Sequence, residues 1–253
     1  MDYTLREMMT IRAAREIKDG DIVFTGTGIP VLAAMAAKKI SAPHSVVFFE
    51  SGAIDSKLDE LPMTAAGARV MYASACNATM LDAFATMQNR NTGNRVISIL
   101  GAAQIDIYGN LNTTCIGDYY KPKIRFPGSG GACDVASFVN RSIIFMEHKR
   151  EKFVKKLDYF TTPGFYKGYD SRKEHDCPGN GPSIVITNMA VMAFEEKSKE
   201  MYLKSYYPGI TPQKVLENME FEVDISMAYE EEPPTDSELR ILREEIDPQR
   251  LIL

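Results

Sequence analysis

Apolar positions along this chain first recur at helical spacing and then switch to short continuous runs. Leu5, Met8, Ile11, Ala14 and Ile17 follow the capping box Thr4-x-x-Glu7, which predicts a helix that Asp19-Gly20 brings to an end. Asp21 to Phe24 then reads as a short strand and Thr25-Gly26-Thr27-Gly28 as a turn. A helix is predicted from about Pro30 to Lys39, with proline in its first turn, and Ser45 to Glu50 as a second strand. Strand, glycine turn, helix and strand make a βαβ unit, so the two strands should be parallel and the crossover right-handed.

The alternation continues. Ala68 to Tyr72 and Val96 to Leu100 read as strands on either side of a helical stretch from about Ala78 to Gln88. Gly128-Ser129-Gly130-Gly131 precedes a helix predicted over Ala132 to Asn140, and strands are expected at Ser142 to Met146, Tyr159 to Thr161 and Ile184 to Thr187. Met192 to Phe194 and Met201 to Tyr206 flank a charged loop as a hairpin. Thr211-Pro212 opens a short helix, and a second capping box, Thr235-x-x-Glu238, starts a helix to about Ile246. The fold class expected is α/β: a single domain over residues 1–253, with a mainly parallel open sheet flanked by helices. No linker divides the chain, and Tyr229 to Asp236 is its most exposed connection.

Composition narrows the function. With 253 residues, 45% of them hydrophobic, the chain can bury a substantial core. A net charge of −5 without a basic stripe argues against nucleic-acid or membrane-surface binding as the main role. The densest basic stretch, Lys149-Arg150 with Lys152, Lys155 and Lys156, has Glu147 and Glu151 beside it and reads as solvated surface. No apolar run approaches the roughly twenty residues a membrane-spanning helix needs, and the amino terminus has no secretory pattern. A cytoplasmic location and free thiols at Cys76, Cys115, Cys133 and Cys177 are expected. His175-Asp176-Cys177 is the only cluster of metal-ligand types and lacks further nearby donors, so no metal site is expected.

Candidate chemistry begins at Glu50. Val46-Val-Phe-Phe49 has the composition of a strand covered on both faces, where a charge would be costly, so Glu50 should emerge at its carboxyl end with Gly52 permitting a tight turn. That edge of a parallel sheet is where ligands bind. A plain strand-end glutamate facing water is the simpler alternative. Gly26-x-Gly28 falls short of the dinucleotide fingerprint, since Val31 stands where a third glycine belongs; it leaves a glycine turn feeding a helix that can meet a phosphate or carboxylate. Gly128-Ser-Gly-Gly131 lets backbone amides approach a ligand and could bind an oxyanion. In Gly101-Ala-Ala-Gln104-Ile-Asp106-Ile-Tyr-Gly-Asn110-Leu-Asn112, Gln104 could donate an amide hydrogen bond, whereas Asp106 is expected to organise the turn.

Phe49-Glu-Ser-Gly52, Gly101 to Thr114 and Arg125-Phe-Pro-Gly-Ser-Gly-Gly-Ala132, in that order, resemble the family I CoA-transferases, most of all the β subunit type that acts on glutaconate. Gly117-Asp-Tyr119, Tyr206-Tyr-Pro208 and Arg243-Glu-Glu-Ile-Asp-Pro248 extend the resemblance over nearly the whole chain. It implies that Glu50 is a nucleophile toward acyl-CoA thioesters, passing through an acyl-glutamyl anhydride to an enzyme-bound glutamyl-CoA thioester by ping-pong chemistry. It gives Gly131 the role of a backbone oxyanion donor beside Gly130. Gly26, Gly28, Gly52, Gln104 and Gly130 are the candidate substrate or CoA contacts. Coenzyme A enters as substrate, and no metal or redox cofactor is implied. A separate α subunit is expected to complete the cleft in an αβ heterodimer or larger αβ assembly, with acyl-CoA and a carboxylate, such as glutaconate or another dicarboxylate, as substrates. Relatives on this fold carry out acyl-CoA hydrolysis, ring opening or decarboxylation, and a non-catalytic partner subunit is the remaining alternative; an intact E-x-G favours transfer.

Overall fold

Thr4 caps the first helix as the sequence predicts: its hydroxyl accepts from the Glu7 N–H at 3.1 Å, and the Glu7 carboxylate accepts from the Thr4 N–H at 2.7 Å. The structure is a computed structural model and describes residues 2–58, 61–65 and 67–253, leaving aside the Arg90 side chain. Contacts group the chain into two compact units, Met1–Leu100 with Pro233–Leu253, and Gly101–Glu232.

The first unit holds α1 (Leu5–Ala14), β1 (Ile22–Thr25), α2 (Ile29–Ile40), β2 (Val46–Phe48), β3 (Ala53–Ile54), α3 (Ala68–Met71), β4 (Cys76–Asn77), α4 (Met80–Gln88), α5 (Arg90–Gly93) and β5 (Val96–Gly101). Its strands run in the order β5-β1-β2-β3-β4, with β1 parallel to both β2 and β5 and the two short strands added antiparallel. The βαβ unit is therefore present. Register partners Phe24 and Phe48 meet edge to face at 5.3 Å between ring centroids, a cross-strand aromatic pair of the kind that adds to area burial. Every residue from Val31 to Ala37 of α2 is buried, because one side of that helix meets the sheet and others meet α1 and the carboxyl-terminal segment. That segment runs from the Thr235 capping box through Asp236–Arg240 and continues as a π-helical turn, Ile241–Ile246.

Several elements differ from expectation. The first helix stops at Ala14. Ala68 to Tyr72, which reads as a strand, is the short helix α3; a brief apolar run has no period long enough to separate the two states. Tyr159 to Thr161 forms no strand, and only an isolated bridge between Leu111 and Thr162 occurs there. The second unit contains the ribbons β6 (Gln104–Ile105) with β7 (Leu111–Asn112) and β8 (Cys115–Gly117) with β9 (Pro122–Arg125). It continues with α6 (Ala132–Phe138), β10 (Arg141–Phe145), α7 (Ser171–Glu174), β11 (Pro182–Ile186), β12 (Ala190–Phe194), β13 (Met201–Tyr206), α8 (Pro212–Glu217) and β14 (Tyr229–Glu230). Its sheet runs β14-β13-β12-β11-β10, parallel at β10–β11 and antiparallel through the expected β12–β13 hairpin. The α/β class and a mainly parallel, helix-flanked architecture are as the sequence indicated. No helix among the described residues is long and apolar enough to cross a membrane.

Candidate active site

Parallel pairing aligns the carboxyl ends of β1, β2 and β5, with Phe24 beside Phe48 and Thr25 beside Ile99. Both Thr25–Gly28 and Glu50–Gly52 therefore leave the sheet on the edge that favours ligand binding.

Phe49, wholly buried, donates its N–H to the Ala53 carbonyl and accepts from the Gly52 N–H, each at 3.0 Å, which closes a tight turn over Glu50 and Ser51. Glu50 stands exposed at the head of that turn. Gly52 has φ +95°, and a Cβ there would lie 2.1 Å from the Ala78 carbonyl oxygen; the Ala78 N–H in turn donates to the Gly52 carbonyl at 2.9 Å. Glycine is thus required both by the left-handed backbone and by the close approach of the chain leading into α4. Ser51, between Glu50 and Gly52, has a buried hydroxyl oxygen with no hydrogen-bond partner among the described residues.

Gly28 is the N-cap of the 12-residue helix α2, with φ +82° and no side-chain cap, and no acidic residue occupies the first turn. Space is open around the Gly26 Cα, where an added Cβ would meet nothing within 4 Å. Unsatisfied N–H groups at such a helix start suit an anion.

In the second unit Asp106 organises its turn as expected: Oδ1 accepts from the N–H groups of Tyr108 and Asn110, both at 3.0 Å, and Oδ2 from the Asn110 amide at 2.8 Å. Burial pushes the Asp106 carboxyl above its ordinary pKa, partly offset by these donors. Gln104 is 5% exposed and engaged at both ends. Its carbonyl accepts from Asn112 at 2.8 Å and from the Asp158 N–H at 3.1 Å, while its amide nitrogen donates to Asp158 at 3.2 Å. In this arrangement Gln104 ties the β6–β7 ribbon to Asp158 and does not present its amide outward.

The glycine-rich loop is pinned at one end. Gly128 and Thr113 exchange two hydrogen bonds, from the Gly128 N–H at 3.1 Å and from the Thr113 hydroxyl at 2.9 Å. Ser129 then starts α6 by accepting from Ala132 and Cys133. Gly128 and Gly130 have φ of +96° and +48° with open space where a Cβ would go, so glycine is needed here for conformation, not for lack of room. Gly131 has φ −84°, and among the described residues no acceptor is bonded to its N–H. A groove of about 640 Å³, walled by Gly101–Ala103, Thr113 and Phe126–Gly128, runs beside this loop.

A family model described as Coenzyme A transferase matches residues 6–218. The chain belongs to the coenzyme A transferase family. The β subunit of glutaconate CoA-transferase from Acidaminococcus fermentans is 41% identical over 98% of this CoA-transferase chain and 94% of the relative. The β subunit of 3-oxoadipate CoA-transferase from Pseudomonas knackmussii is 37% identical over 95% and 92%. The crystal structure of glutaconate coenzyme A-transferase from A. fermentans superposes with a TM-score of 0.96 at 40% identity, covering 99% of this chain and 97% of that one.

For a CoA-transferase chain, the residues singled out in the sequence fall into two sets. Gly26, Gly28, Glu50 and Gly52 share one strand edge of the first unit; Gly130 and Gly131 lie past the groove of the second, and Gln104 lies within its fold. Ser51, Thr113 and Asp158 emerge only from the structure. Nothing in a lone Ser, Thr or Asp signals a partner far along the chain. The Thr113–Thr161 contact, in which the Thr161 hydroxyl accepts from the Thr113 N–H at 3.0 Å, joins positions 48 apart. Among the described residues no group of three or more His, Cys, Asp or Glu could hold a metal ion.

Proposed function

We propose that this chain is the β subunit of a two-chain enzyme that moves coenzyme A from an acyl-CoA to a free carboxylate, with Glu50 as nucleophile. A Glu50 carboxylate oxygen attacks the thioester carbonyl, the C–S bond breaks, and an acyl-glutamyl anhydride forms with CoA thiolate. The thiolate then attacks the glutamyl carbonyl; the anhydride C–O bond breaks, the donor acid leaves, and CoA remains as a thioester on Glu50. An acceptor carboxylate runs the same steps in reverse and restores Glu50. The Gly131 N–H is proposed to steady the oxyanion that each attack creates.

The observation that carries this reading is the Glu50 turn: an exposed carboxylate at the binding edge of three parallel strands, set by a glycine whose replacement the backbone of Ala78 forbids. The anhydride must be protected from water, and Glu50 is exposed in the single chain, which is the reason for proposing an α subunit that covers it. Coenzyme A is a substrate, and the steps written here use no metal or redox cofactor. Glutaconate and 3-oxoadipate, named in the two relatives, are both dicarboxylates, and that class is proposed for the acyl group. A cytoplasmic location completes the proposal.

The test uses the complex copurified with its α subunit. Incubation with a panel of acyl-CoAs should leave a CoA adduct on Glu50 by mass spectrometry, and transfer should require a carboxylate acceptor. Full activity in Glu50→Ala would overturn the nucleophile assignment. Release of free acid without any acceptor would make the enzyme a hydrolase.

A further inference from the structure

Thr113 follows β7 at the point where the glycine-rich loop returns against it, and all of its polar groups are engaged there. Its N–H donates to the Thr161 hydroxyl at 3.0 Å. Its carbonyl accepts from the Gly128 N–H at 3.1 Å, and its hydroxyl donates to the Gly128 carbonyl at 2.9 Å. Thr161 is held in turn: its hydroxyl shares a 2.7 Å hydrogen bond with that of Thr114, and its N–H donates to the Leu111 carbonyl at 3.0 Å. The Asn112 side-chain oxygen braces the same stretch by accepting from the N–H groups of Thr114 at 2.9 Å and Cys115 at 3.3 Å. The Thr114 carbonyl accepts from the Phe126 N–H at 2.9 Å, so β9 enters the loop already in register with this segment.

The two bonds to Gly128 do different things. A residue's N–H belongs to the peptide plane before its Cα and its carbonyl to the plane after it. Thr113 therefore holds both planes around Gly128 and with them its φ of +96°, a state that glycine otherwise leaves freely. Gly130, at φ +48°, is equally free, and at both glycines the space where a Cβ would make contacts is open. The far end of the loop is tied to α6: Gly131 accepts at its carbonyl from the Val135 N–H at 2.9 Å, and Ser129 accepts from Ala132 at 2.8 Å and Cys133 at 3.2 Å. The direction of the Gly131 N–H thus depends on two anchors, α6 behind it and Thr113 ahead of it.

We propose that Thr113 is a positioning residue for the transfer reaction: its hydroxyl locks the Gly128 carbonyl and so aims the Gly131 N–H at the oxyanion. The proposal rests on the CoA-transfer reading above. An oxyanion donor works by being fixed in advance of the reaction, and a small displacement of it is costly in rate. The Thr113 hydroxyl has one hydrogen and spends it on Gly128, so its effect passes through the loop and not through a bond donated to the substrate. Threonine suits the task because its branched Cβ leaves χ1 few choices, which keeps the donor on the carbonyl.

The experiment measures kcat and KM for Thr113→Val, Thr113→Ser, Gly131→Pro and the double variant Thr113→Val/Gly131→Pro, each in the complex copurified with the α subunit. Thr113→Val keeps the shape of the side chain and both backbone bonds. Its kcat should fall about tenfold while KM for acyl-CoA stays within about twofold, and Thr113→Ser should restore most of the loss. In the double variant the hydroxyl has no N–H left to aim, so that enzyme should be no slower than Gly131→Pro alone. Losses that multiply in the double variant, an undiminished kcat in Thr113→Val, or failure of Thr113→Val to fold and assemble would each overturn the positioning role while leaving CoA transfer intact. An undiminished kcat in Gly131→Pro would remove the oxyanion assignment and this proposal with it.

Discussion

The carbonyl of Ala78 lies 2.1 Å from where a Cβ on Gly52 would be, and the Ala78 N–H donates to the Gly52 carbonyl. The chain entering α4 therefore clamps the turn that presents Glu50. Gly52→Ala combines a left-handed backbone with a direct clash and should destabilise the protein by about 3 kcal/mol. Thermal unfolding of the variant measures that loss, and transferase activity of whatever remains folded should fall more than stability alone explains.

Gly131 separates a backbone donor from a glycine conformation. Its φ of −84° is open to any residue, so Gly131→Ala keeps the N–H and should keep most activity. Gly131→Pro removes the hydrogen that the proposed mechanism uses, and kcat should drop by about 10²–10³. Steady-state kinetics of the two variants side by side test this; equal losses would point to loop geometry instead.

Arg172 is buried and donates to four backbone carbonyls: Gly179 at 2.9 Å, Gly164 at 2.7 Å, Ala136 at 2.9 Å and Ser137 at 3.3 Å. The planar guanidinium reaches in several directions at once, which a lysine ammonium cannot. Arg172→Lys should cost about 3 kcal/mol by stranding buried acceptors. The expected result is a lower denaturation midpoint in urea with an unchanged slope.

Acid sensitivity should trace to His148, which is 3% exposed, bonded through Nε2 to the Val215 carbonyl at 3.0 Å, and whose Nδ1 has no partner among the described residues. Burial lowers its pKa to about 4 from the ordinary 6.5. Between those values the unfolded chain takes up a proton that the folded one refuses. The stability contribution is thus complete above about pH 6.5 and declines by about 1.4 kcal/mol per unit as pH falls toward 4. His148→Phe leaves the Val215 carbonyl without its donor but should flatten that part of the stability profile, as urea unfolding at several pH values would reveal.

Local chemistry makes much of the fold legible. The capping boxes at Thr4 and Thr235 and the β-branched run before Glu50 each fix an element through neighbours a few residues away. Thr79 begins α4 with a reciprocal cap of the same kind, but the aspartate at its third position hides it from a search for glutamate or glutamine there. Ala68 to Tyr72 reads as a strand yet folds as a helix, because tertiary context and not periodicity selects its state. Glu50 and Gly52 can be found from sequence because strand end and turn are contiguous. The engagement of Gln104 with Asp158 cannot, since it depends on residues 54 apart meeting in the fold.

The carboxyl-terminal segment belongs to the first unit, where Glu238 pairs with Arg15 at 2.8 Å and Arg243 with Glu7 at 2.6 Å. During synthesis the whole of Gly101–Glu232 leaves the ribosome before these partners of α1 exist. Arg15 and Glu7 therefore gain these two partners only after an entire compact unit has been made, so the pairs that tie down the first helix close across separations of 223 and 236 residues.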